Sequence, residues 1–559
     1  MSEKTGPHAS TENIINANGS SDDLAVPVYV PTPKNAKPPS KYRKIINWTI
    51  ASAVLAAIYA HFIWATWYFI EKTEGTLDST TCTGYGFWMI LFIFINFGVA
   101  YKFVLKKYCI PPIERYVWKP CAALFKKVPY ATLGFLGLIL VAILVFLIVD
   151  TSDDWWRLMP LTGLVIYVAF GFLLSPNKRQ IPWTTVLSGL IAQFILGLLM
   201  IRWDVGRNIF SCVGDKIDTF LNYAVNASAF VYGENLVLEQ GIFAFNSLAA
   251  IYLMSFAINI LYYYGIMQSI ILNLGIFLQW LLGTPICESV NSAANIFLGM
   301  SESPFLLKPY LDHMTDSEIH SIMTSGFASV SGTVLAAYIS FGASPAHLIT
   351  SCVMSAPAAL CYSKLMYPEV EEVLVKRENV KKIKMEYESL LDAAVKGAGE
   401  AAMIVLGIIA NLISFIATIY FINGVLSWLG TLVGYTEEGE LWTLEIILGK
   451  VFIPLTYTMG VQWDECEKVG QLIGVKTIVN EFVAFQKMGE MDLSPKSKII
   501  ATYSICGFAN PGSVGIMLST LGAFMPNKRE NLTRLVFRAF LGGCFVCFMT
   551  ACIAGLLTP

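Results

Sequence analysis

The chain has little charge for its length. Only 14% of its 559 residues are Asp, Glu, Lys or Arg, whereas a soluble domain carries about 25%. The two signs almost cancel, with a formal net charge of -2, so the charge balance does not favour nucleic acid as a partner. Apolar residues take the place of the missing charge and make up 55% of the chain. This composition excludes an ordinary soluble domain and predicts an all-α polytopic protein of the lipid bilayer.

Residues of metal and redox chemistry are also scarce. Five histidines are too few and too scattered for a metal cluster, and the twelve cysteines show no metal-ligand spacing. Cys544, Cys547 and Cys552 share an apolar run, which indicates small packing residues rather than a redox pair. No Ser/Lys or His/Asp arrangement marks a nucleophile with its base. We therefore expect no enzyme and no organic cofactor.

Long apolar runs predict about eleven membrane-spanning helices of roughly 20 residues each. The predicted spans are 45–70, 86–105, 131–149, 158–174, 183–202, 243–262, 315–342, 345–366, 400–428, 496–525 and 534–557. Residues 1–44 are polar and lack apolar periodicity, which predicts a disordered tail in which no cleavable signal peptide is visible.

Three further apolar stretches are not predicted to cross the bilayer. Residues 284–311 and 445–488 are interrupted by polar residues, glycine and proline. Such interruptions favour two re-entrant hairpins over full spans. Residues 264–283 follow a span closely, which favours an amphipathic helix at the membrane interface.

The predicted orientation follows from lysine and arginine in the loops, which concentrate on the cytosolic side. Basic residues gather in alternate connections: 34–44, 106–127, 178–179, 367–399 and 526–534. With eleven crossings, this places the N-terminus in the cytosol and the C-terminus outside. The sequon at Asn226 then lies outside, where glycosylation is possible. The sequon at Asn531 lies inside and is expected to stay unmodified.

Two polar stretches inside the apolar part of the chain repeat each other. In the first, Asn295 and Glu302 precede a Gly-Phe-Ala break at Gly326. In the second, Glu481 precedes a Gly-Phe-Ala break at Gly507. Carboxylates and broken helices are costly in a bilayer. Two such units in corresponding places predict a transporter whose site lies between inverted repeats.

The carboxylates of the two stretches are the first candidate binding groups. Glu302 has apolar flanks, which favours a hairpin tip near the membrane midplane over a solvated loop. Glu481 also has apolar neighbours, which favours a cavity over the headgroup region. Beside it, the break from Asn510 to Ser513 frees carbonyls, an amide and a hydroxyl. This set suits a polyol such as ribose, although a break that only shapes packing is the alternative.

The break of the first repeat offers neutral oxygens rather than carboxylates. Side chains of Asn295 and Ser329, with unwound carbonyls, form a set that suits a hard cation such as sodium. The alternative is a serine that hydrogen-bonds back to its own helix, and the chemistry alone leaves the two open. For Glu288, Asn411 and Asn423 we expect a hairpin brace and interhelical hydrogen bonds, not substrate contacts.

Several long motifs resemble those of the concentrative nucleoside transporter family. They are the run from Glu288 to Pro304, Met354-Ser-Ala-Pro357, Asn480-Glu-Phe-Val-Ala484 and Cys506-Gly-Phe-Ala-Asn510, within a region of similarity over 180–559. The three extra N-terminal spans look like the animal members. The resemblance implies sodium-driven nucleoside uptake across the plasma membrane, three identical subunits and an elevator motion of a transport domain against a scaffold.

The resemblance also implies roles for individual residues. The nucleobase is expected to contact Met300, Ser301, Glu302 and Val334. The ribose is expected to contact Glu481, Asn510 and Ser513, with Phe508 lining the pocket. Sodium is expected to bind the side chains of Asn295 and Ser329 and the carbonyls of Leu298 and Val330.

Two positions depart from the family pattern. Many members have Gln where this chain has Met300, and Gly299-Met300 together with Thr333-Val334 looks like the purine-preferring type. A flexible apolar Met in place of the amide accommodates a larger purine base more easily. We therefore expect purine nucleosides, and possibly uridine, to be favoured. Pro511, where members often lack proline, is the second departure and would stiffen the break.

Other functions stay open as alternatives. A broad-selectivity nucleoside transporter with sodium or proton coupling, or both, fits the same motifs, as does a nucleoside-sensing receptor on a transporter fold. A passive pore is disfavoured because polarity is confined to two repeats.

The resemblance and the spans together predict the organisation of the chain. We expect a cytosolic tail (1–44), three extra spans (45–157), scaffold helices with an interfacial helix (158–283), a first hairpin repeat (284–366), a cytosolic loop (367–399), a scaffold helix (400–428) and a second hairpin repeat (445–559).

Overall fold

The computed structural model describes residues 41–72, 82, 84–100, 131–375, 387–435 and 442–558. By contacts the chain divides into Met1–Leu55 and Ala56–Pro559. The described part of the first unit is helical from Lys41, so helix begins before the predicted end of the tail at 44. Residues 1–40 and the basic residues of 106–127 and 376–386 lie outside the described part.

The described residues form α-helices and no β-strand. In chain order the helices are α1 (Lys41–Lys72), α2 (Gly84–Ala100), α3 (Ala131–Asp150), α4 (Met159–Leu174), α5 (Trp183–Gly197), α6 (Asp204–Tyr232), α7 (Ala249–Tyr263), α8 (Ile266–Leu282), α9 (Ile286–Ala294), α10 (Asp316–Phe327), α11 (Leu335–Ser340), α12 (Pro345–Met366), α13 (Leu390–Leu432), α14 (Leu444–Thr458), α15 (Cys466–Ile478), α16 (Glu481–Glu490), α17 (Pro495–Ile505), α18 (Pro511–Phe524) and α19 (Arg529–Leu557).

Long apolar helices confirm a polytopic membrane protein. Seven helices of the described residues are long and apolar enough to cross a membrane, and the bent pair α7 and α8 would add an eighth. Two predicted spans, 315–342 and 496–525, are each two helices separated by a break. Polar residues and glycine at these breaks interrupt the helical hydrogen bonds, so neither is a continuous span. The predicted span 243–262 is helical from Ala249, and 400–428 is part of the longer α13.

Helix α8 occupies the stretch predicted as an interfacial helix, 264–283, and is bent by 81° from α7. It packs against α9, and Gly283 between them has a φ of +73°, which suits glycine. The predicted first hairpin, 284–311, contains α9 and the turns that follow it, and the predicted second hairpin, 445–488, contains α14 and α15, which pack closely on each other. The interfacial and re-entrant placements stay predictions.

Helix α6 was not predicted. It carries charged residues on one face and has no 20-residue apolar run, so a search for spans passes over it. Its Cys212 forms a disulfide with Cys82, 130 residues earlier. Disulfides persist in oxidising compartments, and this pair agrees with the predicted placement of both segments outside the cytosol. Asn226 is exposed on α6, and its glycosylation stays a prediction.

The core lies around α12 and α19. In their membrane-spanning windows, 89% and 83% of residues are buried, against 11% for α13. Around these two helices pack α10 and α17, the helices that end at the two breaks. The breaks therefore adjoin the most buried helices of the described residues, whereas α13 keeps most of its surface outside the core.

Candidate functional site

The polar stretches of the two repeats and α13 line a cavity of about 290 Å³. All eight residues predicted to contact a substrate line it: Met300, Ser301, Glu302, Val334, Glu481, Phe508, Asn510 and Ser513. They come from four separate segments of the chain, which folding brings together. Their roles in binding stay predictions.

Glu481 is the best-defined polar group of the cavity. It is the first residue of α16, only 2% exposed, and follows Asn480, whose side chain caps that helix. Tyr338 donates its hydroxyl to Oε1 at 3.2 Å. Asn510 donates its amide to Oε2 at 2.8 Å. Each carboxylate oxygen has two acceptor sites, so both retain room for a further donor.

Asn510 connects this carboxylate to the second break. Its Oδ1 accepts the backbone N–H of Ser513 at 2.8 Å, which caps α18, and Pro511 takes the first helical position. With Oδ1 engaged by the cap, Nδ2 is directed to Glu481. The helix break predicted at Asn510 to Ser513 lies slightly earlier, between Ile505 and Pro511, and Asn510 to Ser513 form the cap and first turn of α18.

The first repeat presents a second carboxylate to the same cavity. Glu302 is half-buried, and the backbone N–H of Gly299 donates to its Oε2 at 3.3 Å. Met300 is 5% exposed and packs on Gly326 of α10, where an added Cβ would lie 2.8 Å from the Met300 Cβ. The wall beside Glu302 is therefore apolar and closely supported. Ser301 is exposed and Val334 is buried.

A backbone hydrogen bond joins the two breaks. Phe508 donates its N–H to the carbonyl of Ser329 at 3.2 Å. Within the first repeat, the backbone N–H of Gly332 donates to the carbonyl of Phe297 at 3.0 Å. The polar ends of both repeats are therefore linked by main-chain contacts, as a site at a repeat interface requires.

The four predicted sodium ligands are all buried in the first repeat. Asn295, Leu298, Ser329 and Val330 are between 0% and 4% exposed. Asn295 donates Nδ2 to the Ser325 hydroxyl at 2.9 Å, while its Oδ1 has no hydrogen-bond partner among the described residues. A buried oxygen left without a donor fits a cation ligand.

The other members of the set offer oxygens of the same neutral kind. The carbonyl of Val330 accepts only a weak hydrogen bond, from the thiol of Cys352 at 3.7 Å. Ser329 donates its hydroxyl to the Ser325 carbonyl at 3.1 Å, which is the back-bonding alternative noted above. That bond uses the Ser329 proton and leaves its oxygen lone pairs free, so it is compatible with a cation. The residues present fit sodium.

Sequence reasoning missed the wall that α13 supplies. Its lining residues share one helical face: Ile404, Gly407, Ile408, Asn411, Leu412 and Phe415. Asn411, for which no substrate role was predicted, is the polar member of this face. The sequence signal for this wall is that Asn411 follows Gly407 by four residues in an apolar helix, a spacing that places both residues on one face.

Two of the three neighbouring polar residues, Glu288 and Asn423, make the contacts expected of them, whereas Asn411 lines the cavity. Glu288 is fully buried and pairs with Lys364 at 2.9 Å, a brace between α9 and α12. Asn423 accepts the backbone N–H of Leu444 and donates to Glu445, an interhelical contact between α13 and α14.

Comparison with known proteins agrees with this geometry. Three family models match successive parts of the chain: the "Na+ dependent nucleoside transporter N-terminus" (162–235), "Nucleoside recognition" (244–345) and the "Na+ dependent nucleoside transporter C-terminus" (347–555). Sodium/nucleoside cotransporter 1 of Sus scrofa is 39% identical over 84% of this chain and 74% of its own length. The chain belongs to the sodium-dependent nucleoside transporter family.

Other members of the family are similarly related. Sodium/nucleoside cotransporter 2 of Rattus norvegicus is 42% identical over 76% of this chain, and the match spans 66% of the rat protein's length. The structure of CNTnw in an inward-facing substrate-bound state matches with a TM-score of 0.67 at 35% identity, over 72% of this chain and 98% of CNTnw. An outward-facing CNTnw variant matches with a TM-score of 0.69.

Proposed function

We propose that the chain carries nucleosides into the cell across the plasma membrane by symport with sodium. The observation that carries the proposal is the Asn510–Glu481 hydrogen bond in the wall of a mostly apolar cavity. A carboxylate that keeps acceptor sites beside an oriented amide suits the two vicinal hydroxyls of a ribose. We assign the ribose to Glu481, Asn510 and Ser513, with Phe508 against it.

The base end of the proposed site lies in the first repeat. There Met300, Ser301, Glu302 and Val334 line the cavity. Glu302 and the Ser301 hydroxyl supply hydrogen bonds to base edges, and the apolar Met300 and Val334 supply contact area. The Met300 side chain has no polar group that a substrate must pair by hydrogen bonding, so this end tolerates a larger base. This supports a preference for purine nucleosides.

Sodium is the proposed coupling ion. Its ligands at Asn295, Leu298, Ser329 and Val330 adjoin the residues that contact the base, so cation binding orders the base-binding surface. Coupling follows because sodium favours the binding-competent state. The membrane potential contributes about 2.3 kcal/mol per charge for each 100 mV.

The proposed movement is of the elevator type. The repeats supply every carboxylate and proposed sodium ligand of the site, whereas α13 supplies a mostly apolar wall. A transport domain made of the repeats can slide along such a wall with its substrate. We also propose three identical subunits, with exposed apolar side chains of α13 such as Met403 and Tyr420 facing lipid or a partner copy.

An uptake panel tests the proposal. Cells expressing the chain would be given radiolabelled purine and pyrimidine nucleosides in sodium or choline medium. We expect accumulation against a gradient that requires sodium and is stronger for inosine and adenosine than for cytidine. Uptake that persists in choline would contradict sodium coupling. Saturable binding without accumulation would instead indicate a nucleoside-sensing receptor.

A further inference from the structure

A second cavity, of about 260 Å³, lies between α3, α4, α5 and α19 and shares no lining residue with the cavity of the two repeats. All of its lining side chains are Leu, Ile, Val or Phe. On its floor, Phe194 and Ile553 are 5% and 2% exposed. At its rim, Leu140 of α3 and Val165 of α4 are 37% and 64% exposed. The cavity is therefore an apolar slot that opens sideways between α3 and α4.

The composition of this slot excludes water as its filling. A buried water needs two to four polar partners, and none of the lining side chains offers one. An empty slot would leave the wall atoms without dispersion contacts. All four wall helices are long and apolar enough to cross a membrane, so the slot opens at the depth of lipid hydrocarbon. An acyl chain is the apolar group available there.

Two arginines lie at one end of the slot. Three residues beyond Leu147, a lining residue of α3, Asp150 pairs with Arg157 at 2.9 Å and with Arg202 at 2.7 Å. Arg157 also donates to the carbonyl of Leu556, a lining residue of α19, at 3.4 Å. The slot therefore ends at two guanidinium groups that share one carboxylate, which leaves an excess of positive charge.

The charge of Arg202 is accessible to a further acceptor. Its side chain is 33% exposed, and one of its five N–H donors binds Asp150. The neighbouring Asp153 and Asp154 are exposed, and the Asp154 carboxylate accepts the backbone N–H of Trp156 rather than pairing with Arg202. Guanidinium groups bind phosphate oxygens through paired donors, so this end of the slot suits a phosphate.

Exposed tryptophans place the arginines at the level of lipid headgroups. Trp155 and Trp156 precede Arg157, Trp203 follows Arg202, and all three indoles are exposed. Tryptophan concentrates at membrane–water interfaces. From this level the slot reaches into the hydrocarbon, since its lining residues on α3 span seven positions, or about 10 Å of helix. The spacing of charge and slot matches the headgroup and tail of one lipid.

We propose that the slot binds one phospholipid, with an acyl chain against its apolar walls and the phosphate on Arg202 beside Arg157. By the predicted orientation this lipid belongs to the outer leaflet. Helix α3 packs on α5, and the slot lies between α3 and α4, so the lipid completes the attachment of the last extra span. The proposal is independent of nucleoside transport.

Thermal unfolding of the purified full chain in detergent tests the proposal. The probes are phosphatidylcholine and a diacylglycerol with the same acyl chains, which lacks the phosphate. We expect Tm to rise with phosphatidylcholine concentration until the site is saturated, and to rise less with diacylglycerol. Equal shifts by the two lipids in the wild type would overturn the proposal, and so would a larger shift by cholesterol, which would indicate a sterol site. Neither result depends on a variant that must fold.

The phosphate end is tested by Arg202→Gln. Loss of a hydrogen bond to a charged group should raise the phosphatidylcholine concentration for half of the Tm shift at least about tenfold. The response to diacylglycerol should stay unchanged. Arg207→Gln is the matched control, because Arg207 is an exposed arginine nearby that pairs with Asp204, and it should respond as the wild type does. Identical behaviour of the two variants would overturn the phosphate assignment.

The tail end is tested by Leu164→Trp, which fills the slot and should abolish the Tm response to both lipids. Leu173→Trp is the matched control, because Leu173 is exposed on the same helix and does not line the slot. Val165→Trp, at the exposed rim, replaces Leu164→Trp if that variant does not fold, and should weaken both responses. A slot variant that keeps the wild-type response would overturn the proposal.

Discussion

Asn510 donates its side-chain amide to Glu481 at 2.8 Å, while the oxygen of the same amide caps α18. The cap fixes which end of the amide faces the carboxylate. The helix break that follows the Gly-Phe-Ala motif therefore orients a donor toward the buried acceptor 29 residues earlier. Any ligand that binds Glu481 meets a preorganised pair rather than a free side chain.

The first prediction concerns the charge at this pair. Glu481→Gln replaces an acceptor-only carboxylate by an amide that places a second NH2 group near Asn510 or Tyr338. A hydrogen bond to a charged group contributes about 1.5–3 kcal/mol, so nucleoside uptake should fall at least tenfold. Surface labelling should show normal expression. Glu490→Gln, at the exposed end of the same helix, is the control, and normal uptake by Glu481→Gln would show the ribose assignment to be mistaken.

The second prediction concerns sodium. Asn295→Ala removes the buried oxygen that lacks a donor, so the sodium concentration for half-maximal uptake should rise about tenfold, a loss of about 1.4 kcal/mol. Uptake at saturating sodium should recover much of the wild-type rate. Sodium activation curves measure both quantities, with Asn208→Ala on the exposed face of α6 as control. An unchanged curve would rule out Asn295 as a ligand.

The third prediction concerns base selectivity. Met300→Gln adds a polar group to the apolar wall without changing side-chain length much. A site built to hydrogen-bond a substrate discriminates against substrates that leave it unpaired. The uptake ratio of inosine to cytidine should therefore fall by about tenfold, whereas Met300→Leu should keep it. Equal uptake of the two nucleosides by the wild type would already contradict the purine preference.

The polar part of the site was predictable because lipid makes polar groups conspicuous. Glu302, Glu481 and Asn510 stand out from apolar neighbours, and the structure brings them to one cavity. The buried oxygen of Asn295 stands out for the same reason. Broken helices were visible because glycine and proline interrupt a span. Polar residues and helix breaks in an apolar run are visible in the local sequence because each raises the free energy of placing that segment in hydrocarbon.

The apolar and amphipathic parts were not predictable by the same signals. Most of the surface of α13 is apolar, so the single polar residue Asn411 is a weak local signal of the face that meets the cavity, and an interhelical hydrogen bond was expected for it instead. Helix α6 has too much charge to register as a span. Each omission concerns a tertiary contact that periodicity does not encode.

The last prediction concerns the support behind Met300. Gly326 lies inside α10, and a Cβ there would lie 2.7 Å from the tip of Met517 and 2.8 Å from the Met300 Cβ. The tip of Met517 can move, but the Met300 Cβ is fixed by its backbone. Gly326→Ala should therefore lower the free energy of unfolding by about 1–3 kcal/mol and raise the KM for purine nucleosides by pushing Met300 into the cavity.

Gly515→Ala is the matched control for that change, because it adds the same methyl group to a helix with nothing within 4 Å. It should be neutral or stabilise by up to about 1 kcal/mol through helix propensity. Thermal unfolding of the purified protein and uptake kinetics check both variants. If Gly326→Ala lowered stability with no change in KM, Met300 would pack on α10 without shaping the cavity. If both variants behaved alike, the close approach of Met300 to α10 would itself be in error.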